Sequence, residues 1–229
     1  MSSESILPGD RFPPITDSRP DDLGWPTLSW PPKSDTRLTG TTVALTPLDP
    51  ERDADELFAA LDHDAVWRHV IGRPRRQADF PASLAQRRAD GMFIWLVRLI
   101  RPLAGLTAGT VVGTTSYLEI SLDDARLEIG STMYTPAVWA SAVNPDTKLQ
   151  LLSYAFDELG AGRVQLKTDV RNTRSQQAIA RLGAHYEGTL RRHKRRPDGS
   201  VRDSVLFSLI AEDWPAARGR LLLRLDNSA

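Results

Sequence analysis

Three groups of residues in this chain could do chemistry. Glu128 lies in residues 126–130, where Leu127 and Ile129 share one face of a strand pattern and Glu128 and Gly130 the other. A carboxylate there suits a general base, acting directly or through a water, with a solvated or salt-bridged strand carboxylate as the plain structural alternative. Residues 139–144 read Trp-Ala-Ser-Ala-Val-Asn and lead into a helical pattern. A loop feeding a helix N-terminus presents free backbone N–H groups, which is what a phosphate needs. The third group is Asn172-Thr173-Arg174-Ser175, which follows a strand pattern and opens a helix that Asn172 is suited to cap.

The elements that position these groups are readable from periodicity. Residues 41–47 alternate as a strand, and 51–61 carry Leu57 and Leu61 four apart on one helical side. A second helix is expected over 84–90 with Ser83 as its cap, then a hairpin over 93–100 and 110–120. After the Glu128 strand, Asn144 is the expected N-cap and Pro145 the first residue of a helix. Leu149, Leu152, Phe156 and Leu159 form its buried stripe, and Gly160 ends it. Residues 163–170 form the next strand, followed by the helix that Asn172 starts and Gly183 stops. Strands over 186–190 and 204–210 and a closing helix from Trp214 to Leu225 complete the chain.

This order of strand, loop, capped helix, strand and Asn-led helix over residues 126–188 resembles the cofactor-binding half of the GNAT acyltransferases. Within that superfamily it looks most like the RimJ/RimL type of ribosomal-protein N-terminal acetyltransferase. The resemblance covers roughly residues 38–215. It implies a single α/β domain with a mixed, twisted sheet of about seven strands and helices on both faces. It also implies direct transfer of an acyl group, acetyl by default, from an acyl-CoA to a primary amine of a peptide N-terminus or a small molecule.

The same resemblance assigns roles residue by residue. Ser131, Thr132, Met133 and Tyr134 would bind the pantetheine arm through their main chain. Ala140, Ser141, Ala142, Val143 and Asn144 would cradle the diphosphate. The family's loop usually reads Gln or Arg, two residues, Gly, one residue, then Gly or Ala. Trp139, Ala142 and Asn144 depart from it at those three positions. The grip of the first side chain is therefore lost, and Asp146 would place a negative charge near the phosphates. Asn172 would bond the pantetheine region, and Ser175 would lie near the sulfur and return a proton to the leaving thiolate. Glu128 would be the base.

Composition sets the outer bounds. The chain has 229 residues, 41% hydrophobic and 25% charged, with a formal net charge of zero, so no global attraction to DNA or an anionic membrane is expected. It has no cysteine, which excludes thiolate metal sites and an acyl-cysteine intermediate. Transfer must use another nucleophile or pass directly to the acceptor. His63 and His69, near Asp62 and Asp64, have no recognisable metal spacing, and no metal is expected. The basic run from Arg191 to Arg196 lacks interleaved aromatic rings and reads as a solvated hairpin.

Residues 1–36 hold seven of the 16 prolines and form an expected extended arm, with 37–229 as the single domain. Trp25 and Trp30 argue that part of the arm docks, along the domain or across a homodimer. With no signal-like start, a cytoplasmic enzyme is the expectation. Two rivals remain at this stage. One is a GNAT-fold domain that binds acyl-CoA without catalysis, as a sensor or structural subunit. The other is an enzyme of that fold acting on a small metabolite.

Overall fold

Eight strands form one sheet in the computed structural model, which describes residues 14–17, 24–196 and 198–227. They are β1 (Leu38–Thr39), β2 (Val43–Pro47), β3 (Phe93–Leu99), β4 (Val111–Ser121), β5 (Arg126–Tyr134), β6 (Arg163–Asp169), β7 (His185–Arg195) and β8 (Val201–Ile210). Their order is β1-β2-β3-β4-β5-β6-β8-β7. The strand beyond the seven expected is β1, a two-residue edge segment paired with Leu45 and Ala44. Every neighbouring pair is antiparallel except β5 and β6, which run parallel because a helical crossover joins them.

Among the described residues six α-helices cover the sheet: α1 (Pro50–Leu61), α2 (Asp64–Trp67), α3 (Phe80–Ala89), α4 (Val143–Ser153), α5 (Thr173–Ala180) and α6 (Trp214–Asp226). α1 starts where the Asp49 carboxylate accepts from the Glu51 and Arg52 amides, and it buries Leu57 and Leu61 as their spacing requires. α3 begins four residues earlier than expected. Buried Phe80 anchors it and Pro81 occupies its first turn, so Ser83 lies inside the helix and caps nothing.

The two faces carry two cores. Leu48, Leu57, Leu61, Phe80, Leu84, Leu96 and Met133 pack under α1–α3. The larger core joins the sheet to α4, α5 and α6 through Trp95, Leu127, Leu151, Leu152, Ile179 and Leu221. α4 runs on through a π-helical turn, Tyr154–Glu158, where Phe156 stacks on Trp214 at 5.6 Å.

Part of the Pro-rich arm docks on this body. Leu28 is buried, Trp30 meets Phe93 and Tyr117 edge-on at 5.8 and 6.1 Å, and the Trp25 indole donates to the Asp123 carbonyl at 2.9 Å. Residues 1–13 and 18–23 of the arm lie outside the described residues. No helix among the described residues is long and apolar enough to cross a membrane.

Candidate active site

The cleft begins where the parallel pair ends. β5 and β6 match only over Arg126–Glu128 and Arg163–Gln165, so from Ile129 to Tyr134 β5 has no strand on that side. A bulge on its other edge bends it at this point: Thr114 pairs with Met133 and Ser116 with Gly130, leaving Thr115 opposite both Ser131 and Thr132. Ser131 takes a positive φ of 48° to make the bulge. Thr132 is pinned by the Thr115 hydroxyl at 2.7 Å and by the Lys148 ammonium, which donates to it at 3.1 Å. Met133 is buried in the smaller core, and Gly113 is obligatory beside it because a Cβ there would sit 2.1 Å from the Met133 carbonyl.

The loop after β5 differs from expectation at its start. α4 begins at Val143 with Ala142 in the N-cap position, so Asn144 and Pro145 lie within the first turn. Asn144 caps nothing. The chain turns earlier because the Ser141 hydroxyl accepts from the Val143 amide at 3.2 Å and donates to the Val138 carbonyl at 2.6 Å. Ala142 has an ordinary φ of −67°, so no glycine is needed where the family usually has one. The left-handed residue is Ala140, at φ 59°. Among the described residues, the amides of Ala140 and Ala142 donate to no protein acceptor.

Asp146 does not face this loop. It is fully buried, and its Oδ2 accepts from the Thr42 and Val43 amides at 2.6 and 2.9 Å. Its charge is spent on the start of β2, which removes the expected repulsion of phosphate.

The opposite wall is the turn from β6 into α5. Asn172 caps α5 through its Oδ1, which accepts from the Ser175 amide at 3.1 Å. Its Nδ2 has no acceptor among the described residues, so capping leaves a donor for a ligand carbonyl. Asp169 organises the turn: it accepts from the Arg171 amide at 2.9 Å and from Arg196 at 2.6 and 2.7 Å, and its carbonyl takes the Asn172 amide at 2.8 Å. Arg196 is therefore a structural member of the basic run, while Arg191, Arg192, Lys194 and Arg195 are solvated as expected. Arg174 links the two walls, with its guanidinium carbon 3.6 Å from the centroid of the Trp139 ring.

Glu128, at the root of the cleft, is buried and ion-paired with Lys167 at 2.8 Å. Lys167 also meets Glu119, at 2.5 Å, and Gln165 donates to Glu119 at 2.9 Å. Burial pushes the Glu128 carboxyl above its ordinary value, and the bond and charge of Lys167 only partly offset this. Burial alone would lower Lys167, but the two carboxylates win and raise it.

The unspent groups along this cleft are amides, one side-chain N–H₂ and one guanidinium. These donors, beside the unpaired edge of β5, suit a long ligand rich in acceptor oxygens and negative charge. A profile of the GNAT acetyltransferase domain matches residues 42–185. The chain belongs to the GNAT acetyltransferase family. It is thus a transferase with the mixed α/β fold of that family, whose acetyltransferases use acetyl-CoA. A Thermus thermophilus protein provisionally described as an acetyltransferase is 34% identical, with a TM-score of 0.74 over 86% of this chain and all of that one. The uncharacterised N-acetyltransferase p20 of Bacillus licheniformis is 27% identical over 45% of this chain, a stretch that spans 57% of its own length. Mycobacterium smegmatis RimJ, solved with CoA-disulfide, shares the fold at 21% identity, with a TM-score of 0.69 over 83% of this chain and 95% of that one.

Against this GNAT frame, sequence reasoning missed Lys167, Glu119, Asp169 and Arg174. Lys167 and Lys148 are two of only four lysines, and alternation along β6 puts Lys167 on the Gln165 side; that was a usable signal. Nothing local marks Asp169 or Arg174, whose partners lie 27 and 35 residues away in sequence. Asp62 and Asp64 beside His63 are both held by Arg73, at 2.9 and 2.5 Å.

Proposed function

We propose that this protein is an acetyl-CoA-dependent N-acetyltransferase of the RimJ/RimL type, acting on the α-amino group of a peptide. The observation that carries the reading is the open edge of β5 from Ile129 to Tyr134. An unpaired strand edge binds an extended amide-bearing chain as it would a further strand, and the pantetheine arm is such a chain. Tyr134 takes part least, because its carbonyl already accepts from the Trp139 indole at 3.0 Å.

The free amides of Ala140 and Ala142, in the loop from Ala140 to Asn144, line the place for the diphosphate, and the Asn172 Nδ2 donates to the arm. An acetyl-CoA bound this way supplies a thioester carbonyl open to attack by an amine. Main-chain N–H groups of residues 131–133 stabilise the negative charge that develops on the carbonyl oxygen. Glu128 removes the proton from the attacking amine, and Ser175 returns a proton to the departing thiolate. A thiol pKa of about 8.5 makes that last transfer helpful without making it essential.

The choice of an α-amine follows from the base. An α-amino group titrates at about 7.7 to 8.0 and is partly neutral already, whereas a lysine near 10.4 costs about 4 to 5 kcal/mol to deprotonate at pH 7. A carboxylate, even one whose pKa burial raises, is a modest base, adequate for the first task and poor for the second.

The test follows release of free CoA thiol with two acceptors of the same sequence. One peptide has a free N-terminus and no lysine; the other is blocked at its N-terminus and carries one lysine. Faster turnover of the first is expected. Preference for the lysine peptide overturns the acceptor assignment, and no turnover with either peptide or with simple amines favours a non-catalytic acyl-CoA-binding protein.

A further inference from the structure

Trp139 stands where a GNAT loop usually presents an amide or guanidinium to phosphate, and its single donor, the indole N–H, is already held by the Tyr134 carbonyl at 3.0 Å. We propose that Arg174 supplies the grip from the opposite wall: it rests on the Trp139 ring and turns onto the diphosphate of the acyl-CoA when the cofactor binds. This rests on the acyl-CoA reading of the cleft and deepens it.

The two partners are unequal in freedom. Trp139 is partly buried against both cores, and its indole N–H is fixed to the Tyr134 carbonyl at 3.0 Å, so the ring is a set platform. Arg174 is exposed, in the first turn of α5, and touches no carboxylate; none of its donors is engaged among the described residues. Its charged neighbour is Arg68, another cation without an acidic partner among the described residues. Like charges so placed repel, and an anion bound at Arg174 would offset that repulsion.

The exchange is favourable in direction. A guanidinium over a partly buried ring is modestly attracted, whereas a forked, charge-assisted bond to phosphate is among the stronger polar contacts. Trp139 and Arg174 belong to the β5–α4 and β6–α5 turns respectively, so their contact spans the mouth of the open edge. A ligand lying along β5 must pass beneath or part them. Arg174 is thereby both the phosphate ligand and the moving half of a clasp.

The test is calorimetric titration of the full chain with CoA at low and high salt, for wild type, Arg174→Met and Arg174→Lys. Methionine keeps the stem and removes the charge. Arg174→Met is expected to weaken CoA binding at low salt by about tenfold or more. It should also flatten the salt dependence, because one screened ion contact is gone. Arg174→Lys should retain the salt dependence of wild type. If wild type binds CoA and Arg174→Met binds it within twofold, or with the same salt dependence, the assignment of Arg174 is wrong. If wild type itself binds no CoA, the acyl-CoA reading of the cleft fails first, and this assignment with it.

Discussion

The Glu128 carboxylate lies 2.8 Å from the Lys167 ammonium, and their side chains expose only 6% and 8% of their surface. The pair sits where β5 and β6 part, so the same geometry that opens the cleft withdraws its acid from water. Burial raises the Glu128 pKa despite the lysine, and this has opposite consequences for stability and for catalysis.

For stability, a carboxyl whose folded pKa exceeds its unfolded value favours the fold when protonated. Its contribution is fully present below the unfolded pKa and is lost as pH rises through the folded one. Glu128→Gln is therefore expected to be no less stable than wild type at pH 7, with Lys167 still held by Glu119, and to lose ground to wild type as the solution is acidified. Chemical denaturation at pH 7 and pH 4 checks this; a variant markedly less stable at pH 7 would contradict it.

For catalysis, the same variant should lose about a hundredfold or more in acetyl transfer. The acid limb of the wild-type rate profile should lie above the usual carboxylate range and be absent from the variant. Matching profiles would remove Glu128 from the mechanism.

Asp146 holds the buried amides of Thr42 and Val43, so Asp146→Ala leaves two donors unpaired in the interior. Each orphaned donor costs about 1 to 3 kcal/mol. Gly40→Ala should also destabilise, because its Cβ would stand 2.1 Å from the Asp146 Oδ1. Urea unfolding of either variant within about 0.5 kcal/mol of wild type, the usual range for an inert surface change, would mean that this clamp bears little of the fold.

Ala140 holds a left-handed backbone at φ 59° in an exposed loop. That conformation costs a residue with a Cβ roughly 1 to 2 kcal/mol, part of which glycine returns as backbone entropy. Ala140→Gly is expected to raise the thermal midpoint by a few degrees. A lower midpoint would show that the loop relaxes to another conformation.

Lys148 is buried with Thr132 as its hydrogen-bond acceptor, and burial lowers its pKa to about 7. A base depressed in this way opposes folding while charged, so stability should climb as pH rises from about 7 towards the unfolded value near 10.4. Lys148→Met should exceed wild type in stability at pH 6 and lose that advantage by pH 10. A constant difference across that range would show that the amine is neutral or solvated throughout.

Much of the fold was legible because its signals are local. The stripe of Leu149 and Leu152, the cap at Asn172 and the alternation around Leu127 and Ile129 each fix an element from within a few residues. The candidate cleft was legible in outline for the same reason, through the order of its elements. What sequence could not supply were the pairings across it. Whether β5 and β6 part after Glu128 depends on a bulge set by Thr115 on another strand. The direction of Asp146 depends on Thr42, 104 residues away. Asn144 was misread as a cap because asparagine before proline is a strong local sign, and the bond of Ser141 to the Val143 amide starts the helix earlier. The grip that Trp139 cannot provide comes from Arg174, on an element that only the folded sheet brings near.

The central claim is that the edge of β5 opened beside Glu128 holds an acyl-CoA, and calorimetric titration of the full chain with acetyl-CoA tests it most directly. A single site of micromolar affinity, weakened by Asn172→Ala, is the predicted result. No heat at millimolar acetyl-CoA, or binding indifferent to Asn172, would contradict it.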